Sequence, residues 1–281
     1  MTDDHCGVAS AMALLGDAWT VLVLRDVARG RTRFEQLLAE SGISRKVLAA
    51  RLRALEDAEV LVRVAYQERP VRHDYLLTDR GRALLPVLAG LQEWGDTWLL
   101  GDGTPSATAS PTSAEALRVR ELVGTRVPVV DPDPLDPAMG TVVYCYPGTG
   151  LAGIDAVPGG PGCTLESCTY RDRLVDFAAL GARVVGVSTQ LPEEQAAFAA
   201  DNRIQFPLVS DAGLALTTAL RLPTFTLNGV TRLKRLTLVV DRDRVVRGAL
   251  FPIRDVTGSV DEALALVESA LGERRAEAGA G

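Results

Sequence analysis

Lysine and histidine are scarce in this chain. Lys46, Lys234, His5 and His73 are the only ones among 281 residues, and almost every cation is arginine. Two imidazoles and four cysteines without paired CxxC spacing do not make a zinc-ligand set, so no metal is expected, and no other cofactor. No apolar run approaches membrane-spanning length, and Met1-Thr2-Asp3-Asp4-His5-Cys6 carries no basic leader region. The expected location is therefore the cytoplasm, with no membrane partner. Thiols stay reduced there, so Cys6, Cys145, Cys163 and Cys168 are not a permanent disulfide framework. Reactive thiols are the remaining reading. A net charge of −6 argues against non-specific nucleic-acid binding by the whole molecule but leaves room for a local basic face.

The length suits two cores rather than one. The stretch GDGTPSATASPT, Gly101 to Thr112, is small, polar and without apolar periodicity, and reads as a flexible linker. It separates residues 1–100, where helical patterns dominate, from residues 113–281, where strands and helices alternate. Short helices are expected over Cys6–Leu15, Trp19–Ala28, Arg33–Glu40 and, capped by Ser44, through Glu59. Leu61–Tyr66 and Arg72–Leu77 read as a hairpin, followed by one helix over Thr78–Trp98.

Helix, turn, helix and a two-stranded wing is a DNA-binding order. The segments LLGDAWTVLVLRD, RTRFEQL, GISRKVLAARLRALEDAEVL and YLLTDRGRALLPVL, in that order, resemble the HxlR family of winged helix-turn-helix regulators. Arg45, Lys46, Arg51 and Arg53 would face DNA behind Ser44, with Arg69, Arg72 and His73 on the wing. The resemblance implies a double-stranded operator and a homodimer built from the first and last helices. Met12, Trp94 and Trp98 then fall to the core or the dimer contact.

In the second half, strands are expected at Thr141–Tyr146, Arg183–Ser188, Phe206–Val209, Arg235–Asp241 and Val245–Leu250. Helices are expected from Cys163 to Leu180 and over Pro192–Asp201, Ala212–Leu220 and Asp261–Leu271, giving an α/β sheet domain. Gly148-Thr149-Gly150-Leu151-Ala152-Gly153 satisfies GxGxxG, but the glycines and prolines that follow open no helix, so nucleotide binding is not expected. A cysteine at a helix N-terminus near an arginine has its thiolate favoured, and Cys163 meets that description. In a regular helix, residues five apart lie about 8.7 Å apart between Cα atoms, beyond the usual disulfide span of about 4.4–6.8 Å. Pairing Cys163 with Cys168 would require the first helical turn to unwind.

The run PGCTLESCTYRD, with VVGVSTQ, FPLVSD and KRLTLVVD after it, resembles the bacterioferritin-comigratory, Q-type peroxiredoxins of thioredoxin-like fold. That resemblance implies Cys163 as the thiol that attacks peroxide, Cys168 as the resolving thiol, and Arg235 as the arginine that polarises peroxide. It also implies a peroxide or other oxidant and a thiol reductant as partners. The sequence departs from the family's PxxxTxxC: Gly160 stands at the Thr and Ala156 at the Pro, and the loop after Pro147 is longer. Cys145, inside an apolar strand, reads as core. HxlR-type regulators often carry a redox-sensing cysteine near Cys6, while a buried interface residue is the other reading there.

Three functions follow. One is a regulator whose operator affinity depends on thiol state, the second a thiol-dependent peroxidase carrying a DNA-binding domain, the third a regulator with an inactive redoxin module.

Overall fold

The computed structural model describes residues 5–279, with the side chains of 271–279 left aside. The chain forms two compact units, residues 1–88 and 89–281. Among the described residues no single helix is long and apolar enough to cross a membrane.

The first unit runs α1 (Gly7–Leu15), α2 (Ala18–Ala28), α3 (Phe34–Ser41), α4 (Arg45–Asp57), β1 (Leu61–Glu68), β2 (Val71–Leu77) and α5 (Asp79–Arg82). Caps set the starts of its helices. The Asp17 carboxylate accepts from the Thr20 amide at 3.2 Å, and the Ser44 hydroxyl accepts from the Val47 amide at 3.3 Å. Gly42, at φ 65°, ends α3 in the left-handed conformation that glycine adopts without penalty. Val23, Leu24, Leu37, Leu48, Leu52 and Leu55 fill the core, closing the helices over the base of the wing at Leu61. β1 and β2 pair antiparallel, from Leu61 opposite Leu77 to Glu68 opposite Val71.

The single helix expected over Thr78–Trp98 is broken into α5 and α6 (Leu85–Trp98). Pro86 has no N–H to donate to the Arg82 carbonyl, so it is tolerated only in the first turn of a new helix. The boundary between the two compact units falls inside α6, after Leu88.

The second unit continues with α7 (Ala114–Arg120), β3 (Gly140–Cys145), α8 (Cys163–Asp172), α9 (Leu174–Ala179), β4 (Ala182–Ser188), α10 (Pro192–Asn202), β5 (Leu208–Ser210) and α11 (Ala215–Leu220). It ends with β6 (Thr224–Leu227), β7 (Val230–Leu233), β8 (Leu236–Val240), β9 (Val246–Leu250) and α12 (Gly258–Gly279). The main sheet has the order β5-β4-β3-β8-β9, with β3, β4 and β5 parallel and β8 and β9 antiparallel to their neighbours. Strand alternation sends Val143, Cys145, Val185 and Val187 to one face against Leu216, Leu220 and Leu222. Val142, Tyr144 and Val184 go to the other, against Tyr170, Phe177, Val260 and Val267. Cys145 is fully buried in the first of these cores, where burial pushes its thiol far up.

The helix expected from Cys163 to Leu180 is two helices, meeting at Arg173. The segment 101–112 contains no helix or strand, as expected, but it is not free along its length. Ala107 is 1% exposed, and its amide donates to the Pro158 carbonyl at 3.0 Å. The side chain of Ser106 reaches the same carbonyl at 3.3 Å. A buried residue whose amide has a partner of this kind is held as a turn is held.

Candidate nucleic-acid face and thiol site

On α4 the exposed positions are Arg45, Lys46, Ala49, Ala50 and Arg53, one helical face that ends in the exposed Asp57, while Leu48, Leu52 and Leu55 face the core. Arg45 forms a two-pronged bond with Glu35, both contacts at 2.8 Å. That bond holds the Glu35 carboxyl below its usual range. Arg51 does not join this face. Its guanidinium bonds Asp17 at 3.0 Å, tying α4 to the cap of α2, and its Nε is buried without a hydrogen-bond partner.

Arg51, expected among the DNA-facing residues, is half-buried in a contact with an acid 34 positions away. The two alanines of the face went unremarked in the sequence because small residues carry no chemical flag. On the wing, Arg69 and Arg72 are exposed, whereas His73 is half-buried opposite Ala65. Neighbours on a strand point to opposite faces, so Arg72 and His73 do not act together.

Arg45→Ala with Arg53→Ala is expected to weaken operator binding and to reduce its log–log salt slope by roughly 2. Arg51→Ala should leave the slope alone and lower stability by up to about 1 kcal/mol. Binding titrations at several salt concentrations, with thermal unfolding alongside, check both. An unchanged slope in the double variant would remove these two residues from the interface.

In the second unit, Cys163 opens α8 after Gly162, whose φ of 104° lets the chain turn into the helix. The thiol is 5% exposed. Arg235, just before β8, reaches it: Nη2 lies 3.5 Å from Sγ and donates to the carbonyls of Gly160 at 3.1 Å and Pro161 at 2.9 Å. Sγ is itself 3.8 Å from the Gly160 carbonyl oxygen. Nη1 of Arg235 pairs with Glu166, which is fully buried one turn into α8 and has an Oε1 with no hydrogen-bond partner. Burial pushes Glu166 up to about 7 against the pull of Arg235.

The structure thus brings Cys163 and Arg235 together as the sequence suggested, with Glu166 as a third member. Glu166 was missed, although an acid in the first turn of a helix packed on a core is a signal that could have found it. The expected lowering of the Cys163 thiol is not what results. Burial pushes it up, Arg235 pulls it back, and Glu166 raises it again.

Cys168 is half-buried on the same unbroken helix, beside the half-buried Arg171 guanidinium. Both thiols are free. There is no room for the family's threonine at residue 160, since a Cβ there would lie 2.5 Å from the Ile154 carbonyl oxygen. The longer loop has folded a short 3-10 turn, Ile154–Ala156, into that space. Gly148 of the glycine-rich run supplies a backbone hydrogen bond to Cys163. Gln190 clamps Thr149 next to it, through Oε1 to the amide at 2.8 Å and Nε2 to the carbonyl at 3.0 Å. In the first unit, Cys6 caps α1, its Sγ 3.5 Å from the Ala9 amide.

A winged helix-turn-helix unit followed by a thioredoxin-like α/β unit with a cysteine at a helix start defines a fusion of a transcriptional-regulator domain with a peroxiredoxin-like domain. The chain belongs to the HxlR-like helix-turn-helix family over residues 14–102 and to the AhpC/TSA family over residues 154–249. It is 42% identical over 92 residues to a helix-turn-helix-type transcriptional regulator of Mycobacterium tuberculosis, a match covering 33% of this chain and 58% of that regulator. A regulator of the same type from Synechocystis is 42% identical over 99 residues, covering 35% of this chain and 73% of the relative. A protein of Mycobacterium tuberculosis named as a peroxiredoxin is 35% identical over 109 residues, covering 39% of this chain and 71% of the relative.

Proposed function

We propose that the protein is a DNA-binding regulator, working as a cytoplasmic homodimer, whose operator affinity depends on the oxidation state of Cys163. The observation that carries this reading is the Arg235 guanidinium 3.5 Å from the Cys163 sulfur at the start of α8, in a chain that also bears a winged helix-turn-helix unit. The homodimer is supported by apolar side chains left exposed on α1, at Val8 and Met12, and in a stripe along α6, at Val87, Leu91, Trp94 and Trp98.

The chemistry is that of a thiol meeting a hydroperoxide. The Cys163 thiolate attacks the terminal peroxide oxygen, the O–O bond breaks, and an alcohol or water leaves with the thiol's proton. Cys163 becomes a sulfenic acid. The Cys168 thiol then displaces its hydroxyl as water, forming the disulfide, so two thiols supply the two electrons that reduce one peroxide. Arg235 orients the peroxide and stabilises the developing negative oxygen. A raised Cys163 thiol and the missing threonine hydroxyl both slow this step. They favour a sensor that reacts once per signal over a peroxidase that turns over.

Peptide mapping under non-reducing conditions after mild peroxide treatment tests the assignment. The expected product is an intrachain Cys163–Cys168 disulfide. Conversion of Cys163 to sulfinic acid alone would remove the resolving role from Cys168.

A further inference from the structure

We infer that residues 104–108 form a strap latched onto the thiol loop while Cys163 is reduced and released when Cys163 is oxidised; this rests on the redox reading of Cys163 and Cys168. The loop 158–162, which leads into α8, has three carbonyls held from outside it. Those of Gly160 and Pro161 are held by Arg235, and that of Pro158 is held by the strap, through the Ala107 amide at 3.0 Å and the Ser106 hydroxyl at 3.3 Å. The two segments also touch. Gly159, at φ 74°, lies so close to Thr108 that a Cβ on it would be 2.8 Å from that residue's Cβ.

The holders are sequence neighbours. Arg235 grips the thiol loop, and Lys234 reaches the Thr108 carbonyl at 3.4 Å while pairing with the buried Glu115 at 2.8 Å. A movement of 158–162 is therefore communicated directly to 106–108.

Oxidation supplies that movement. Cys163 and Cys168 sit on one unbroken helix, so joining them requires the first turn of α8 to unwind, carrying the loop with it. The electrons balance as above: a hydroperoxide takes two from the thiol pair and leaves as alcohol and water. Open space borders most of the strap, although Ala107 itself is buried. A cavity of about 550 Å³ runs along 101–112, bordered by Asp96, Glu115, Pro158 and Lys234. Its buried ions are already paired, Lys234 with Glu115 and Asp96 with Arg118. Release breaks two hydrogen bonds to Pro158 and exposes the Ala107 methyl, without opening a core.

The test is hydrogen–deuterium exchange on the full chain, reduced and peroxide-treated, with the disulfide measured in the same sample by peptide mapping. The expected result is exchange of the strap amides, Ala107 above all, faster by about fivefold or more once the disulfide has formed. Ala107→Pro removes the donated N–H and should give fast exchange in the neighbouring strap amides even when reduced, with no further rise on oxidation. A disulfide formed with Ala107 still protected overturns the strap and leaves the thiol reading intact. No oxidation at Cys163 overturns both. An oxidation response of normal size in Ala107→Pro also overturns the latch, and thermal unfolding of that variant shows whether the fold is retained.

Discussion

Mild peroxide is expected to change operator affinity by about 5–150-fold, a coupling of about 1–3 kcal/mol, and Cys163→Ser is expected to abolish that change. A ligand or modification shifts an equilibrium only by its differential effect on the two states, so the comparison must be made within one protein at one fixed salt concentration. Wild type, Cys6→Ser and Cys163→Ser, each reduced and oxidised, form the set. If conformational release at α8 carries the signal, only Cys163→Ser loses the response. Loss in both variants would mean that the oxidising equivalent passes to Cys6 by thiol–disulfide exchange. Equal affinity of reduced and oxidised wild type would end the redox-regulator reading and leave a DNA-binding protein with a passenger domain.

The second large effect is on stability. Arg235→Ala leaves Glu166 buried with no cation opposite it, and removing one partner of a buried pair costs about 3–5 kcal/mol. The pH dependence identifies the cause. Glu166 titrates at about 7 in the fold against an ordinary 4.5, so the folded state binds its proton more tightly. Stability from this group is fully present below the unfolded pKa and declines as pH rises through the folded one. Without Arg235 the folded pKa climbs further, so both proteins lose stability alike up to about pH 7 and the deficit relative to wild type widens only above it, making it larger at about pH 8 than at about pH 5. Adding Glu166→Gln should recover most of the loss at the alkaline end. Chemical denaturation at both pH values decides it. A deficit independent of pH, or a double variant no more stable than Arg235→Ala, would show that the missing guanidinium acts through packing instead.

Much of this architecture is legible in the sequence because it rests on local rules. The Ser44 cap and the stripe Leu48, Leu52, Leu55 announce α4, and short apolar runs announce β3 and β4. The hairpin of β6 and β7 had a local signal that went unread. Asn228-Gly229 joins the two strands with both residues at positive φ, the pattern of a tight two-residue turn. Other features have no local signal. Arg51 looks like every other basic residue of α4 until Asp17 is brought beside it. Glu166 and Arg235 are 69 positions apart, and only the fold makes them a pair. The segment 101–112 has the composition of a free linker, and its partners, Pro158 and Lys234, lie far along the chain. At the thiol site, residue types revealed which cysteine and arginine meet, but not how deeply they are buried. Burial depth is what turned the expected shift of Cys163 around.

The division of α6 bears on how such a fusion is inherited. The last turns of this helix, from Ala89 onward, belong to the second unit, where Asp96 lies in a nearly buried two-pronged bond with Arg118, at 3.0 Å and 2.6 Å. Gln92 and Glu93 add contacts to Leu222 and Thr226. A gene rearrangement that joined another reader of DNA at residue 101 would strand the Arg118 guanidinium in a nearly water-free site. A cut at residue 101 would therefore leave the second unit without the helix end that completes it.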